Sequence, residues 1–184
     1  MFSRWFQKPK TSLKLICLIG ESGSGKTTLA DRLKKHGYTS IPSYTTRSQR
    51  GHSDQSHVFV TADEFQVLEP ELIAHQTFDG FSYGVTREQV KAHHIFVVDP
   101  RGLEQVRRAL PHGSVIAIYV EASPAERLRR MAATRGSNDA LRRIDHDTNY
   151  FSRFRGYDVL LKNETEDDLN NNERIVSALM KGFF

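Results

Sequence analysis

Gly20-Glu21-Ser22-Gly23-Ser24-Gly25-Lys26-Thr27 is the stretch that decides the fold. It follows the apolar run Leu13–Ile19, which reads as a buried strand. It precedes a helix from Lys26 to about His36, with Leu29, Ala30 and Leu33 on one face and Gly37 as the stop. The octapeptide fits G-x-x-x-x-G-K-[S/T] in the strand–loop–helix context that gives this pattern its meaning. Glycines let the backbone curl so that successive N–H groups face a phosphate chain, and the helix N-terminus adds partial positive charge. Lys26 reaches the outer phosphates and Thr27 offers a hydroxyl to Mg²⁺. Gly20, Ser22, Gly23, Ser24, Gly25, Lys26, Thr27 and Thr28 are thus the expected nucleotide contacts, with ATP and Mg²⁺ as cofactors.

Outward from this loop, residues 38–84 are rich in Ser, Thr and Gly. They carry a short β-like piece at His57–Val60 and a helix start at Thr61-Ala62-Asp63-Glu64, so they read as an insertion with its own small sheet. Strand–helix alternation then resumes. Thr86-Arg87-Glu88-Gln89 opens a helix, Ile95–Asp99 is a strand, a helix covers about 102–110, and Val115–Val120 is a strand. Ser123-Pro124-Ala125-Glu126 combines N-cap, N1 proline and N3 glutamate. The helix it starts runs to about Thr134, with Leu128, Met131 and Ala132 as the expected buried stripe. Gly136-Ser137-Asn138-Asp139 breaks it, and a further helix follows with Leu141, Ile144, Thr148 and Phe151 at helical spacing. The strand Asp158–Leu161 and a helix over about 166–181 close the chain. Such alternation argues for a parallel sheet covered on both faces.

At 184 residues, with 38% hydrophobic and 26% charged residues, the composition is that of one ordinary globular domain. No apolar run approaches the roughly 18 residues of a membrane span, and residues 1–10 lack the apolar core of a signal peptide. The expected location is the cytoplasm, with residues 1–12 as a leader. Cys17 reads as a small hydrophobe in a strand. The net charge of +4 is concentrated: eleven arginines, no lysine and six acids fall between Arg101 and Arg155. Nucleic acid, a membrane surface and a phosphorylated small molecule all suit such a domain, and arginine usage leans toward bidentate phosphate or carboxylate recognition.

A second acid is needed to hold the hydration shell of Mg²⁺, and Asp99, ending an apolar strand, is the candidate. Neither N-K-x-D nor L-S-G-G-Q occurs, which disfavours GTPases and ABC-type ATPases. A small kinase remains, for which the arginine-bearing break at 127–143 suits charge neutralisation during transfer. His93-His94 and Asp145-His146-Asp147 read as surface residues rather than metal ligands, since neighbours on a helix point to different faces.

Together the loop, Ser43-Tyr44-Thr45-Thr46-Arg47 with Arg50, the stretch 59–65, Tyr83-Gly84, Asp99 with Gly102, Arg135-Gly136 and the stretch 157–163 resemble guanylate kinase, in order from about Leu15 to Leu179. The resemblance implies an α/β, three-layer P-loop kinase fold with a parallel central sheet, a small mixed-sheet monophosphate-binding insertion and a helical lid. The core would comprise 13–40, 86–126 and 147–184, the insertion 41–85 and the arginine lid 127–146. It further implies that Ser43 approaches the base, that Arg47, Arg50 and Tyr83 hold the monophosphate, that Arg135 and Arg143 fall on the ATP phosphates, and that Asn163 lies near the adenine.

Three departures concern the base. The Arg50–Phe59 segment is two residues shorter than the family pattern and has His57 where a tyrosine is expected. Ala74, followed by His75 and Gln76, stands in place of a guanine-reading glutamate unless Glu71 takes that role, and Val85 replaces Ser or Thr. Guanine selectivity should therefore be weakened. The expected activity is transfer of the γ-phosphoryl of MgATP to GMP, dGMP or another (deoxy)nucleoside monophosphate. The alternatives are a sugar-phosphate kinase of the ribose 1,5-bisphosphate kinase type, a non-catalytic guanylate-kinase-like binding module, and a nucleic-acid 5′-hydroxyl kinase. The last is disfavoured because the charge collects at the expected lid, so no nucleic-acid or membrane partner is expected.

Overall fold

The computed structural model describes residues 14–49 and 56–184; the leader and Arg50 lie outside the described residues, as does the side chain of Arg135. In chain order the elements are β1 (Leu15–Ile19), α1 (Lys26–Leu33), β2 (Ser43–Thr45), β3 (His57–Phe59), α2 (Ala62–Leu68), β4 (Leu72–Phe78), β5 (Phe81–Thr86) and α3 (Arg87–Ala92). There follow β6 (Ile95–Val97), α4 (Pro100–Ala109), β7 (Val115–Glu121), α5 (Pro124–Arg135), α6 (Ser137–Phe151), β8 (Val159–Lys162) and α7 (Glu166–Phe183).

β1 is buried at every residue because it lies inside the all-parallel sheet β6-β1-β7-β8. Successive side chains of a strand point to opposite faces. Leu15, Cys17 and Ile19 accordingly pack with Leu103 and Val106 of α4 and Phe151 of α6, and Ile16 and Leu18 pack with Leu29 and Leu33 of α1 and Val176 and Met180 of α7. Burial on both faces is why these strands read as unbroken apolar runs. The three-layer arrangement is the expected one, and the parallel order carries the C-terminal ends of β1, β6 and β7 to one edge, where the glycine loop begins.

The insertion forms a second, mixed sheet of order β3-β2-β5-β4, with β2 parallel to β3 and antiparallel to β5. β4 and β5 are joined by the two-residue turn Asp79-Gly80, both at positive φ (50° and 78°). That is the backbone a tight hairpin requires of its two central residues, and Asp-Gly supplies it. Both expected capping boxes form, Thr61 with Glu64 and Thr86 with Gln89.

Two helix readings need correction. The break after α5 is Gly136 alone, and α6 begins at Ser137. On α5 Met131 is buried as expected, but the most deeply buried of its described side chains is Arg127, 1% exposed. On α6 Leu141 is 54% exposed and Thr148 is exposed, while Ala140, Asp147 and Phe151 face inward. The apolar spacing mispredicted this face because one of its central positions is an acid, buried against a partner on α5.

Candidate functional site

The acceptors of the glycine loop are engaged by side-chain donors. Lys26 Nζ donates to the Glu21 carbonyl (2.8 Å) and to Ser24 Oγ (3.4 Å), curling over the loop's own acceptors. Burial pushes its pKa down to about 8, the carboxylates of Asp147 and Glu21 pull it upward, and Arg127 adds to the depression. At Gly25, with φ +97°, a Cβ would stand 2.2 Å from Asn163 Nδ2, so only glycine fits. No side chain caps α1 at this residue. An uncapped helix N-terminus presents free N–H groups to an anion. Thr27 and Thr28, in its first turn, are exposed.

Asn163, at the end of β8, is buried and donates from Nδ2 to the Ser24 carbonyl (2.7 Å). Arg130 of α5 joins the same corner: its Nη2 donates to the carbonyls of Asn163 (2.8 Å) and Glu164 (3.1 Å), its Nη1 to those of Gly23 (3.3 Å) and Ser24 (3.4 Å), and its Nε to Glu126 (2.7 Å). The forks of Arg129 and Arg130 hold the Glu126 carboxyl down to about 2. These residues, with Gly25, Thr28, Thr165 and Leu169, line a cavity of about 370 Å³ beside the loop, the place expected for a nucleotide base near Asn163.

Asp99 follows β6 and caps α4, Oδ1 accepting from Gly102 N–H (2.7 Å) with Pro100 at the first helical position. Its Oδ2 accepts from the Tyr150 hydroxyl of α6 (2.8 Å). Burial, then this carboxylate, raises the Tyr150 pKa well above the ordinary phenol value. Tyr150 carries no motif signal; only the fold brings it to Asp99.

On the small sheet the register sets Ser43 beside His57 and Thr45 beside both Phe59 and Tyr83. Ser43 Oγ and His57 Nδ1 are 2.9 Å apart, and the His57 ring stands edge-on to Tyr83 with centroids at 5.6 Å. Arg47 is buried to 8% exposure, its guanidinium 5.3 Å from the Phe59 ring centre and donating to the Ser48 carbonyl (2.8 Å). Ser43, Arg47, His57 and Tyr83 are thus assembled on one sheet. Ala74 and Val85 are not at its open face: both are packed in the core cluster with Leu103 and Val106. His75 is exposed, its N–H donating to Gln105 (2.7 Å), and Glu71 lies exposed in the turn before β4.

The arginine stretch is corrected in part. Arg127 does not face an open phosphate site; it is buried and paired with Glu21 (2.8 Å) and Asp147 (3.3 Å). Asp147 is correspondingly no surface residue, whereas its neighbours Asp145 and His146 are exposed. Arg143 is bonded to Asp139 (3.0 Å) with its guanidinium 5.7 Å from the Phe78 ring centre, and Arg142 is bonded to Asp79 and Asp139.

Residues 16–152 match the model of the AAA domain family. Among curated proteins the chain is 28% identical over 181 residues to a guanylate kinase of Ruegeria sp., covering 90% of this chain and 82% of that one. It is 30% identical over 143 residues to a guanylate kinase of Myxococcus xanthus, covering 70% of this chain and 68% of that one. The crystal structure of guanylate kinase from Anaplasma phagocytophilum superposes with a TM-score of 0.61 at 25% identity, covering 93% of this chain and 86% of that one. A glycine-rich loop on a parallel sheet, a second mixed sheet and these relatives converge on one conclusion: the chain belongs to the guanylate kinase family.

Proposed function

We propose that the chain transfers the γ-phosphoryl of MgATP to the phosphate of a (deoxy)nucleoside monophosphate. The observation that carries this reading is the phosphate loop: its carbonyls accept from Lys26, Arg130 and Asn163, and the uncapped start of α1 adjoins a cavity of about 370 Å³. The triphosphate lies along the loop with its base beside Asn163. Residues 41–85 carry the acceptor, 127–146 serve as the lid, and 13–40, 86–126 and 147–184 make the core. Arg47, Arg50 and Tyr83 hold the acceptor phosphate, while Ser43 and His57 approach the remainder of that ligand.

In the step itself an acceptor phosphate oxygen bonds to the γ-phosphorus as the bond from that phosphorus to its bridging oxygen breaks, and ADP leaves. Lys26, Arg135 and Arg143 offset the charge that accumulates on the transferring group. Thr27 and Asp99 are the residues that would hold Mg²⁺. One hydroxyl and one carboxylate fit an ion that keeps several waters and takes its other oxygens from phosphates, and its chemistry there is charge neutralisation of phosphate oxygens. Among the described residues no group of three or more His, Cys, Asp or Glu offers a protein-only metal cage. A cytoplasmic location accords with the reading; no described helix is long and apolar enough to cross a membrane.

A second reading, a sugar-phosphate kinase, is favoured by the enclosure of Ala74 and Val85 in the core, since neither position offers a polar group to a base edge. A panel assay of ADP formation with the eight common (deoxy)nucleoside monophosphates and ribose 1,5-bisphosphate separates the two. Turnover only with the sugar phosphate replaces the first reading by the second. No turnover with any acceptor points to a binding module.

A further inference from the structure

Ser22 of the phosphate loop is gripped on both sides of its backbone. Its N–H donates to Asp147 Oδ2 of α6 (2.6 Å), and its carbonyl accepts from Arg127 Nε of α5 (2.9 Å). Arg127 also pairs with Glu21, the preceding loop residue (2.8 Å), and with Asp147 (3.3 Å); the Arg127 and Asp147 side chains are 1% and 8% exposed. A buried ionic cluster of this kind is a weak source of stability, since apolar packing of similar volume often does as well. Its best-attested use is to fix register between elements.

The contacts of α6 continue along the helix in both directions. Towards its N-terminus, Arg142 reaches Asp79 at the tip of the β4–β5 hairpin (3.2 and 3.3 Å), Arg143 lies over the Phe78 ring, and His146 stands edge-on to it with centroids at 5.7 Å. Towards its C-terminus, Tyr150 donates to Asp99. Residues 143, 147 and 150 follow the spacing that places side chains on one side of a helix. One helix therefore touches the phosphate loop, the tip of the small sheet and the acid after β6.

We propose that Asp147 and Arg127 are positioning residues that couple the phosphate loop to the β4–β5 hairpin through α6, so that filling the loop steadies the acceptor-binding sheet. The proposal rests on the phosphoryl-transfer reading for what fills the loop. Its physical content is a linkage: an occupant that favours one placement of Ser22 favours one placement of α6, and hence of Asp79 and Phe78. By reciprocity, an occupant of the small sheet tightens the loop's hold by the same factor.

The test is hydrogen exchange of residues 75–84 with and without the non-hydrolysable probe AMP-PNP and Mg²⁺, alongside calorimetry of the same probe. In the wild type, AMP-PNP should slow exchange at the hairpin by a factor within the usual coupling range of about 5–150. Asp79→Asn, which removes the charge facing Arg142 at the hairpin tip, should leave AMP-PNP affinity unchanged and reduce that slowing to less than about twofold. Asp147→Asn, which keeps the side-chain shape, should weaken AMP-PNP binding as well as abolish the hairpin effect. A merely structural role would lower stability in these variants without separating probe affinity from hairpin protection. Binding of AMP-PNP to the wild type with no change at the hairpin, or full protection retained in both variants, overturns the coupling alone. Absence of AMP-PNP binding to the wild type overturns the phosphoryl-transfer reading and the coupling with it.

Discussion

Lys26 should take up a proton when a triphosphate binds. Burial lowers its pKa from the ordinary 10.5 to about 8, so near pH 8 about half of the unliganded molecules carry it neutral. A phosphate chain within reach favours the charged form and returns the pKa toward or above its usual value. The triphosphate's own last ionisation lies at about pH 6 and is complete by about pH 8. Binding should therefore draw in about 0.5 proton at pH 8 and about 0.9 at pH 9, and affinity should fall about fivefold from pH 8 to pH 9. Calorimetry of AMP-PNP with Mg²⁺ in buffers of differing ionisation enthalpy measures the uptake directly, and Lys26→Met should abolish it. Uptake that stays flat across this range, or survives in Lys26→Met, would refute the reasoning. The same shift has a stability signature. Between about pH 8 and 10.5 the unfolded chain holds a proton that folded Lys26 has lost, which makes stability rise with pH. Above about pH 9 the buried Cys17 thiol, protonated in the fold and ionised in the unfolded chain, opposes that rise. Between about pH 8 and 9 stability of the unliganded protein should therefore rise with pH, and less steeply in Lys26→Met.

Further outcomes follow from close contacts and burial. In Gly102→Ala the new Cβ would sit 2.3 Å from Val98 Cγ2 and 3.1 Å from Asp99 Oδ1; overpacking of this kind costs about 1–3 kcal/mol in urea unfolding, and turnover should fall as Asp99 shifts. Asn163→Ala removes the short donor to the buried Ser24 carbonyl, which should cost about 1–3 kcal/mol and raise KM for ATP more than it lowers kcat. Arg127→Ala strands the carboxylates of Glu21 and Asp147, a loss of about 3–5 kcal/mol visible in the denaturation midpoint. Cys17, fully buried and with its thiol pushed up to about 12 by desolvation, should react with a disulfide reagent only at the rate of unfolding.

What the sequence revealed and what it hid divide along physical lines. The glycine loop and its flanking strand and helix were legible because phosphate binding fixes residue type and spacing within eight positions. The capping boxes were legible for the same local reason. The Asp79-Gly80 hairpin was legible in principle, since Asp-Gly between Phe78 and Phe81 carries the strongest short-range turn signal. The α5–α6 contact was not. Periodicity assigns apolar residues inward, and Arg127 and Asp147 defeat it because each is buried among partners distant in sequence: each other, twenty positions away, and Glu21 and Ser22 of the phosphate loop. Tyr150 and Asp99 likewise meet only once α6 lies beside the start of α4.

The concentration of arginine between 101 and 155 finds its physical use in that pairing. Arg107 meets Asp158, Arg108 meets Glu104, Arg129 meets Glu126, and Arg142 and Arg143 share Asp139. Much of the surplus is therefore scaffold rather than an open basic face. The more consequential members, Arg127 and Arg130, donate to the backbone of the phosphate loop. Carbonyls of four consecutive residues accept side-chain donors: Glu21 from Lys26, Ser22 from Arg127, Gly23 from Arg130, and Ser24 from Arg130 and Asn163. Turning these carbonyl dipoles toward cations removes negative ends that would otherwise oppose a phosphate, and it leaves the following N–H groups at the start of α1 to receive one. A planar fork can hold a carboxylate and several carbonyls at once; a lysine point charge cannot. Arg130→Lys, which keeps the charge and loses the fork, should therefore raise KM for ATP about tenfold or more, corresponding to about 1.4 kcal/mol, with the acceptor KM little changed. Equal ATP kinetics in Arg130→Lys would mean that the charge alone suffices and that the fork does not shape the loop.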